Sequence, residues 1–365
     1  MQVLVVNAGS SSLKLRLLGA DNSVIREHDM VVAEAGIDTV ALAACLRTWP
    51  APDVVGHRIV HGGTRFTSPV RIDAAVEQEL RKFVDLAPLH QPKSLAAYDA
   101  VSALLPDVPA VACFDTAFHA ALPAAAATYA VPREWRERYG VRRYGFHGLS
   151  HAYASRRAAD MIGKPLKTLR IVTCHLGAGA SLAAVVGGRS VDTTMGFTPL
   201  EGLVMATRSG SVDPGLVLWL QEHEHLTTDE VATALERRSG LLALTGTADM
   251  REVERHAQAG DGAARLGFEV FVHRLVTSIG AMTAAAGGLD ALVFTGGIGE
   301  HSPGVRRAAC ERLAHLGARI DSEANARARD DADIGQSQAG VRVLVVAARE
   351  DLEIENETRA VISAA

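Results

Sequence analysis

The sequence is poor in the features that mark secreted, membrane-bound and nucleic-acid-binding proteins. Its four cysteines stand far apart without a CxxC pair, which indicates reduced thiols in a cytoplasmic protein. No apolar stretch reaches the ~20 residues of a membrane span, and Val3–Val6 is too short for the apolar core of a signal peptide. The net charge of −5, without a basic run, argues against nonspecific binding to nucleic acid. We therefore expect cytoplasmic localisation, no membrane partner and no nucleic-acid partner.

Common metal and nucleotide motifs are missing as well. The fourteen histidines form no HxxH or HExxH pattern, so we expect no zinc site. The sequence has no GxxxxGK[ST] motif, which excludes a P-loop, and no GxGxxG follows its first apolar run. The length of 365 residues favours two domains over one. The composition, 48% hydrophobic and 22% charged, is typical of a globular protein.

Apolar runs and helix-period segments alternate along the chain. Six runs predict buried strands, at 3–6, 54–63, 108–118, 169–188, 289–302 and 341–350. Ala-rich segments between them predict helices, at 73–86, 93–105, 151–162, 213–221, 228–238, 262–287 and 303–316. Helices that alternate with strands predict an α/β fold.

Two similar hairpins stand half a chain apart. "VLVVNAGSSSLKLRLL" starts at residue 3 and "IVTCHLGAGASLAAVV" at residue 171, and each is a strand, a small-residue turn and a second strand. Glycine and serine let backbone N–H groups approach an anion, and Lys14 can lie on the same side of its strand as Ser12. A third glycine turn, "GGIGEHS", follows another apolar run. The pattern favours a nucleotide cleft between duplicated domains, although plain tight turns are the alternative.

Three charged residues occur where a site could use them. Arg58 lies in "GHRIVHGG" and Arg208 in "TRSGSVDPG". Arginine offers a planar fork to carboxylate or phosphate, but either residue could instead form a structural ion pair. Asp115 ends an apolar run, where it could orient a nucleophile, pair with an arginine, hold Mg²⁺ or cap a helix.

Taken together, the motifs resemble the acetate kinase family, within the sugar kinase–actin–heat-shock ATPase superfamily. They keep the family's order and cover nearly the whole chain. The matching motifs are "NAGSSSLK" (7–14), "GHRIVHGG" (56–63), "LAPLH" (86–90), "FDTAFH" (114–119), "RYGFHGLSH" (143–151), "HLGAGAS" (175–181), "VDTTMGFTPLEGL" (191–203), "TRSGSVDPG" (207–215), "SGLL" (239–242), "DMR" (249–251) and "FTGGIGE" (294–300).

The resemblance implies a duplicated ribonuclease-H-like, actin-like ATPase fold with two α/β domains around a central cleft. The expected first domain is 1–118, closed by the C-terminal segment 351–365, and the second is 119–350 with the nucleotide site. The implied reaction is the reversible transfer of a phosphoryl group from ATP to acetate, by direct in-line attack. Its products are acetyl phosphate and ADP. The implied cofactor is Mg²⁺ or Mn²⁺, the partners are ATP and acetate or another short-chain carboxylate, and the implied assembly is a homodimer.

The resemblance also implies roles for individual residues. Asp115, His147 and Arg208 match the catalytic positions, and Asn7 and Glu350 match the metal-binding ones. The expected substrate-binding residues are Arg58, for the carboxylate, and Val60, Leu89, Phe146 and Pro199, for the methyl group. The expected nucleotide-binding residues are Ser10, Ser12, Lys14, His175, Leu176, Gly177, Ala178, Gly179, Asp249, Met250, Arg251, Gly297, Ile298, Gly299, Glu300 and His301.

Some positions depart from the family pattern. Ala178 replaces the asparagine of HLGNG, and His301 replaces an asparagine after GIGE, so we expect weaker or less selective nucleotide binding. Propionate is the alternative substrate, although Val60 favours acetate. An ATP-hydrolysing actin-like module or a phosphohydrolase is the alternative from another class. Arg58 and the apolar pocket argue against the phosphohydrolase, because water needs neither. An actin-like ATPase module would need ATP but not the set Arg58, Asp115, His147 and Arg208.

Overall fold

The computed structural model describes residues 1–9, 12–32, 36–87 and 90–364. The chain separates into two compact units. Unit 1 consists of Met1–Ala120, Phe146–Tyr153 and Arg349–Ala365, and unit 2 consists of Ala121–Gly145 and Ala154–Ala348. Each unit contains one six-stranded sheet.

The sheet of unit 1 has the strand order β3-β2-β1-β4-β6-β5. Its strands are β1 (Val3–Ala8), β2 (Ser12–Leu18), β3 (Val24–Val31), β4 (Val54–Ile59), β5 (Val70–Arg71) and β6 (Ala110–Phe114). Strands β1, β2 and β3 form an antiparallel meander, β1, β4 and β6 run parallel, and β5 is an antiparallel edge strand.

The sheet of unit 2 repeats this plan, with the order β11-β12-β10-β7-β8-β9. Its strands are β7 (Arg170–Leu176), β8 (Ala180–Val186), β9 (Arg189–Thr193), β10 (Ala291–Thr295), β11 (Ala332–Asp333) and β12 (Arg342–Val345). Strands β7, β8 and β9 form the meander, β7, β10 and β12 run parallel, and β11 is the antiparallel edge. The predicted duplicated α/β fold is therefore confirmed.

The described residues also form helices. They are α1 (Thr39–Arg47), α2 (Ala74–Lys82), α3 (Gln91–Leu104), α4 (Ala124–Ala127), α5 (Arg133–Tyr139), α6 (Gly148–Ile162), α7 (Pro214–His223), α8 (Thr228–Arg237), α9 (Gly240–Thr245), α10 (Met250–Gln258), α11 (Gly262–Ala285), α12 (Gly296–His301), α13 (Pro303–Arg312), α14 (Ser322–Arg327) and α15 (Glu350–Ser363). Short 3-10 turns lie at Phe83–Leu86, Ala117–His119, Leu166–Thr168 and Ala314–Leu316. In the part of the chain that the structure describes, no helix has a stretch long and apolar enough to cross a membrane.

The seven predicted helical segments correspond to α2, α3, α6, α7, α8, α11 and α13. The other helices were not predicted: α1, α4, α5, α9, α10, α12, α14 and α15. Two predicted strands are too long and extend into helices. The run at 289–302 ends as a strand at Thr295, where α12 follows, and the run at 341–350 ends at Val345, before α15 begins at Glu350. Acidic residues crowd the first turn of α15, where they favour a helix N-terminus but hide its apolar period.

Strand β1 is apolar on both faces because helices cover both sides of its sheet. Val3 and Val5 pack with Ile354 of α15, whereas Leu4 and Val6 share a cluster with α3. Such a continuous apolar run is typical of a strand at the centre of a parallel arrangement. This burial fixes β1 and, with it, the polar residues at its carboxyl end.

Candidate active site

Three polar side chains of unit 1 meet at the carboxyl ends of adjacent parallel strands. Asn7 lies near the end of β1, Arg58 near the end of β4, and Asp115 directly after β6. The Nη2 of Arg58 donates to Oδ2 of Asp115 at 2.6 Å, and its Nε donates to Oδ1 at 3.1 Å. The Nη1 of Arg58 donates to Oδ1 of Asn7 at 3.3 Å. The Asp115 carboxylate is thus bonded to Arg58, and Asp115 is not the N-cap of the following 3-10 turn, which is Thr116.

Glu350 joins this group from the start of α15. The Nδ2 of Asn7 donates to Oε2 of Glu350 at 2.7 Å, so hydrogen bonds run in one chain from Glu350 through Asn7 and Arg58 to Asp115. The Asp115 side chain is only 1% exposed and that of Arg58 13%. Burial lowers the pKa of Arg58, but the Asp115 and Glu350 charges outweigh it, and the net shift is upward. Burial raises the pKa of Asp115, and Arg58 opposes that shift.

His147 lies beside Asp115 in a strained backbone conformation. Its φ is +55°, in the left-handed region that few residues other than glycine adopt. The next residue, Gly148, donates its N–H to the Asp115 carbonyl at 2.9 Å, and a Cβ there would lie 2.2 Å from that oxygen. Because Gly148 has no side chain, α6 can begin in contact with the Asp115 carbonyl. His147, which directly precedes Gly148 and is half-buried, is thereby held next to Asp115. Strain of this kind often marks a functional residue.

Two residues of the expected methyl pocket are buried in unit 1. Val60 is 7% exposed and Phe146 is 1% exposed, and the Phe146 ring meets the His61 ring edge-on at 5.5 Å. His119 contacts the Phe146 carbonyl through Nε2 at 3.1 Å, and burial lowers the pKa of His119 to about 4 despite that contact. Leu89, the third expected pocket residue, lies outside the described residues.

The first glycine–serine hairpin is described only in part, because Ser10 lies outside the described residues. The N–H of Gly9 donates to the Ser12 carbonyl at 2.8 Å, which closes the turn. Lys14 is exposed and lies opposite Asn7 in the β1–β2 register, so the two side chains share one face of the sheet.

In unit 2, the second hairpin is closed by backbone contacts. His175 and Leu176 end β7, and the N–H of Gly177 donates to the Gly179 carbonyl at 3.0 Å. Ala178 is exposed at the tip. Gly296 has a φ of +78°, and a Cβ there would lie 2.8 Å from the Leu176 carbonyl. Glycine at this position brings the turn of 296–299 close to the hairpin.

The loop that carries Arg208 is bonded to that hairpin. The N–H of Ala206 donates to the Ala178 carbonyl at 3.2 Å, and Nη1 of Arg208 donates to the Pro199 carbonyl at 3.0 Å. Burial lowers the pKa of Arg208, and the Glu236 charge opposes the shift. Gly240, with φ +64°, lies under the loop, since a Cβ there would be 2.2 Å from the Met205 carbonyl. The "SGLL" motif therefore supports the Arg208 loop.

The expected adenosine-binding stretches lie on α10 and α12 of the same unit. Asp249 caps α10 and pairs with exposed Arg251 at 2.6 Å, while Met250 is buried. The hydrogen bond to Arg251 lowers the pKa of Asp249. In α12, Gly299 is buried, Ile298 is half-buried, and Gly297 and His301 are exposed. Glu300 accepts the Ala348 N–H at 3.0 Å.

Asn7 and Glu350 offer one amide and one carboxylate as metal donors. Among the described residues, no group of three or more His, Cys, Asp or Glu side chains forms a metal site. Mg²⁺ commonly uses one or two carboxylates together with substrate phosphates and water, rather than a complete protein cage. The two side chains are in contact, but Nδ2 of Asn7 faces Glu350 and Oδ1 accepts from Arg58, so the amide would have to turn to bring Oδ1 to a metal beside the carboxylate. This donor set fits Mg²⁺ bound together with a nucleotide.

Tyr129, Arg143 and Glu201 were not singled out from the sequence. They form a polar cluster in unit 2, in which Arg143 pairs with Glu201 at 2.7 Å and the Tyr129 hydroxyl donates to Glu201. Two of them lie in the quoted motifs "RYGFHGLSH" and "VDTTMGFTPLEGL". Arg143 lies two residues before Gly145, and Glu201 directly precedes Gly202. These opposite charges beside glycines of the two motifs were the sequence signal that could have indicated an ion pair.

The repeated sheet and the polar groups beside its strand ends define the class of the protein: a two-domain α/β protein with a duplicated ribonuclease-H-like fold. Known proteins then narrow the class. A family model described as the Acetokinase family matches residues 26–356. An acetate kinase from Carboxydothermus hydrogenoformans is 41% identical over 391 residues, covering 98% of each chain.

Solved structures agree with the sequence relatives. An acetate kinase from Porphyromonas gingivalis superposes with a TM-score of 0.89 at 35% identity, covering 99% of both chains. A propionate kinase from Francisella tularensis superposes with a TM-score of 0.90 at 34% identity, covering 98% of this chain and 99% of that one. The chain belongs to the acetate kinase family.

Proposed function

We propose that this chain is an ATP:acetate phosphotransferase, which forms acetyl phosphate and ADP by direct in-line transfer and also runs in reverse. The observation that carries the proposal is the hydrogen-bonded chain Glu350–Asn7–Arg58–Asp115 in a member of this family. It offers a cation for a carboxylate beside oxygen donors for a metal. A phosphohydrolase that passes the phosphoryl group to water needs no such cation.

Arg58 binds the substrate carboxylate in this proposal. A carboxylate is ionised at pH 7, so it can attack phosphorus without a general base. Its negative charge must instead be neutralised and its oxygen aligned, which a planar guanidinium does well. Asp115 fixes the orientation of that guanidinium through two donors, Nε and Nη2. Val60 and Phe146, with Leu89 and Pro199, receive the methyl group.

His147 and Arg208 stabilise the transferring phosphoryl group. Charge spreads over its three equatorial oxygens in the transition state, so donors fixed in advance lower the barrier. Ser10, Ser12, Lys14 and residues 175–179 bind the phosphates, partly through backbone N–H groups. The stretches 249–251 and 297–301 bind adenosine.

Asn7 and Glu350 hold the divalent cation, for which we propose Mg²⁺, with Mn²⁺ as a substitute. When bound, the cation neutralises charge on the ATP phosphates. The Asn7 amide can present its Oδ1 to a metal while Glu350 supplies a carboxylate oxygen. This role accounts for an acidic residue beside Asn7.

Propionate is the second candidate substrate. The propionate kinase similarity at 34% identity favours keeping it, because one methylene is worth only ~10–200-fold in selectivity. Val60 supports acetate, since a smaller residue there would leave more room for the longer chain.

A coupled assay with ATP and Mg²⁺ tests the proposal, with kcat/KM measured for acetate, propionate and butyrate. Hydroxylamine trapping identifies the acyl phosphate. Saturable, acetate-dependent ADP release with a trapped hydroxamate is expected. ADP release that no carboxylate stimulates would favour a phosphohydrolase or an actin-like ATPase module instead.

We further propose a cytoplasmic homodimer. The domains that we propose are 1–118 plus 351–365 and 119–350, whereas the compact units assign Phe146–Tyr153 and residues 349–350 to the first of them. The four cysteines form no disulfide, as is usual in a reducing compartment such as the cytoplasm.

An exposed helix supports the proposed dimer. Helix α7 buries none of its residues, and Leu216, Leu218 and Trp219 are 47%, 59% and 47% exposed. An exposed apolar patch of this kind supports a protein interface. Leu218→Glu should then shift the mass measured by light scattering from dimer to monomer.

A further inference from the structure

A polar cluster in unit 2 closes the loop that carries Pro199. The cluster consists of Tyr129, Arg143 and Glu201, and we call it the loop anchor. The Nη2 of Arg143 donates to Oε1 of Glu201 at 2.7 Å, and the Tyr129 hydroxyl donates to the other oxygen, Oε2. The guanidinium of Arg143 also lies 5.5 Å from the centre of the Tyr129 ring. Glu201 is thus held by a charged and a neutral donor at once.

The loop anchor also bonds the other end of the loop through the backbone. The Nη1 of Arg143 donates to the carbonyls of Thr194 and Met195, each at 3.1 Å. The Tyr129 hydroxyl accepts the N–H of Phe197 at 3.0 Å. The segment from Thr194 to Glu201 is therefore fastened at both ends by the same side chains.

Gly196 allows this arrangement. A Cβ at Gly196 would lie 1.7 Å from Oε2 of Glu201 and 2.0 Å from the Tyr129 oxygen, so any side chain there would displace the loop anchor. Its carbonyl accepts the N–H of Tyr144 at 3.0 Å, which ties the loop to the segment that carries Arg143. The close approach shows a packed contact rather than a loose surface ion pair.

The closed loop is in direct contact with Arg208. Pro199 lies inside it, and the Pro199 carbonyl accepts Nη1 of Arg208 at 3.0 Å. At the loop's exit, Gly202 donates its N–H to the Ser211 hydroxyl at 3.1 Å and accepts the N–H of Ser211 at 3.0 Å. Displacement of the loop would therefore move an acceptor that orients the Arg208 guanidinium.

We propose that Glu201, held by Tyr129 and Arg143, is a positioning residue that sets the place of Pro199 and the orientation of Arg208. This rests on the proposed kinase function, in which Arg208 meets the phosphoryl group and Pro199 the acyl group. Glu201 itself touches neither reactant in this proposal. Its effect reaches the reaction through the loop.

Glu201→Gln tests the proposal because it keeps the shape of the side chain and removes the charge that Arg143 pairs with. A catalytic group displaced by ~1 Å can lose ~10²-fold in rate, so we expect a fall of about that size in kcat/KM for acetate. We expect kcat to account for most of it and the KM for ATP to change little. The ratio of kcat/KM for acetate to that for propionate should also fall, because Pro199 is proposed as part of the methyl pocket.

Tyr129→Phe is the milder variant, for the case that Glu201→Gln does not fold. It removes one oxygen, and we expect a fall of about tenfold in kcat/KM, as for one hydrogen bond to a charged group. The effects of the two substitutions should not add in the double variant, because both break the same contact.

The matched control is Asp290→Asn, which breaks the Arg170–Asp290 ion pair, with a distance of 2.9 Å between Nη2 and Oδ1, in the same unit. It should lower the melting temperature without changing kcat/KM.

Hydrogen exchange supplies a measurement that does not depend on turnover. In Glu201→Gln, the amides of 194–211 should exchange faster than in the wild type and in Asp290→Asn. If Glu201→Gln lowers the melting temperature but keeps the wild-type kcat, both KM values and loop exchange, Glu201 is merely structural and the inference is wrong. A wild-type protein without acetate-dependent turnover would overturn the proposed function instead, and the exchange comparison would still decide whether the anchor holds the loop.

Discussion

The two units share one strand plan, yet they fix their polar groups by different means. In unit 1, Arg58, Asp115 and Asn7 hold one another by side-chain hydrogen bonds in a nearly buried position. In unit 2, the 175–179 hairpin and the 296–299 turn are shaped by backbone contacts, and the residue at the hairpin tip, Ala178, is exposed.

The difference follows from what each unit is proposed to bind. A small carboxylate needs one cation at a fixed position, and only a side chain provides it. A polyphosphate spreads its charge over many oxygens, which backbone N–H groups can meet at several points. We therefore expect the unit 1 site to be sensitive to the loss of single side chains, and the 175–179 and 296–299 segments of unit 2 to depend more on backbone conformation. Arg208 is the exception in unit 2, because it depends on the side chains of the loop anchor.

Arg58→Ala should have the largest effect. It removes the proposed carboxylate ligand, and we expect turnover to fall on the order of 10³–10⁵, as for other arginines at a phosphoryl-transfer site. It also leaves the Asp115 carboxylate buried without its cation, which should lower the free energy of unfolding by about 3–5 kcal/mol. Steady-state kinetics and denaturant unfolding measure the two effects separately.

The double variant Arg58→Ala/Asp115→Asn serves as the control for stability. It removes the buried charge as well as its partner, so the free energy of unfolding should recover while turnover stays low. Activity near that of the wild type in Arg58→Ala would contradict the proposed role of Arg58.

Arg208→Ala provides the counterpart in unit 2. We expect a loss of turnover on the order of 10³, at the lower end for an arginine that contacts the transferring group. The stability loss should be smaller than for Arg58→Ala, since Nη1 of Arg208 donates to the neutral Pro199 carbonyl. Equal losses of stability in the two variants would remove the contrast between the units.

The contacts among the polar residues of unit 1 follow from the sequence more directly than those of unit 2. Arg58 and Asp115 end apolar strands, and neighbouring parallel strands bring their carboxyl ends together, so strand prediction almost implies their contact. The pairing of Asn7 with Glu350 was different, because 343 residues separate them and only the family resemblance named both.

The loop anchor and the role of Gly240 could not be predicted in the same way. Gly240 supports the Arg208 loop by lying against the Met205 carbonyl, a contact between irregular segments that no periodic pattern encodes. Tyr129 and Glu201 are 72 residues apart and both lie outside regular strands. Helix α15 was missed because its charges outnumber its apolar residues, although Ile354 is fully buried.

Ala178→Asn tests whether unit 2 tolerates and uses a side chain at its exposed tip. The tip has room for one, and the Ala178 carbonyl already accepts the N–H of Ala206, so the backbone should not change. An added amide that reaches the nucleotide should lower the KM for ATP by about 2–10-fold, the value of one hydrogen bond. An unchanged KM for ATP, with kcat retained, would mean that the backbone contacts suffice.

His57→Leu should have the smallest effect, and it concerns stability alone. His57 is 1% exposed in β4, its ring meets Tyr98 edge-on at 5.3 Å, and neither ring nitrogen has a hydrogen-bond partner among the described residues. Burial lowers the pKa of His57 to about 3. The unfolded chain therefore takes up a proton at His57 near pH 6.5 that the folded chain does not, and stability is lost as the pH falls below that value.

Between pH 7.5 and 5.5, this histidine alone should cost about 1.4 kcal/mol of unfolding free energy, since the unfolded state becomes tenfold more protonated than neutral. His57→Leu removes this contribution. The free energies of unfolding measured with denaturant at the two pH values should therefore differ by about 1.4 kcal/mol less than in the wild type. Turnover at pH 7.5 should not change, because alternation along β4 puts residue 57 on the opposite face from Arg58. An unchanged pH dependence would mean that His57 is hydrated or charged in the folded protein. Unit 1 would then contain a buried, solvated polar residue, His57, in addition to the Arg58–Asp115 ion pair.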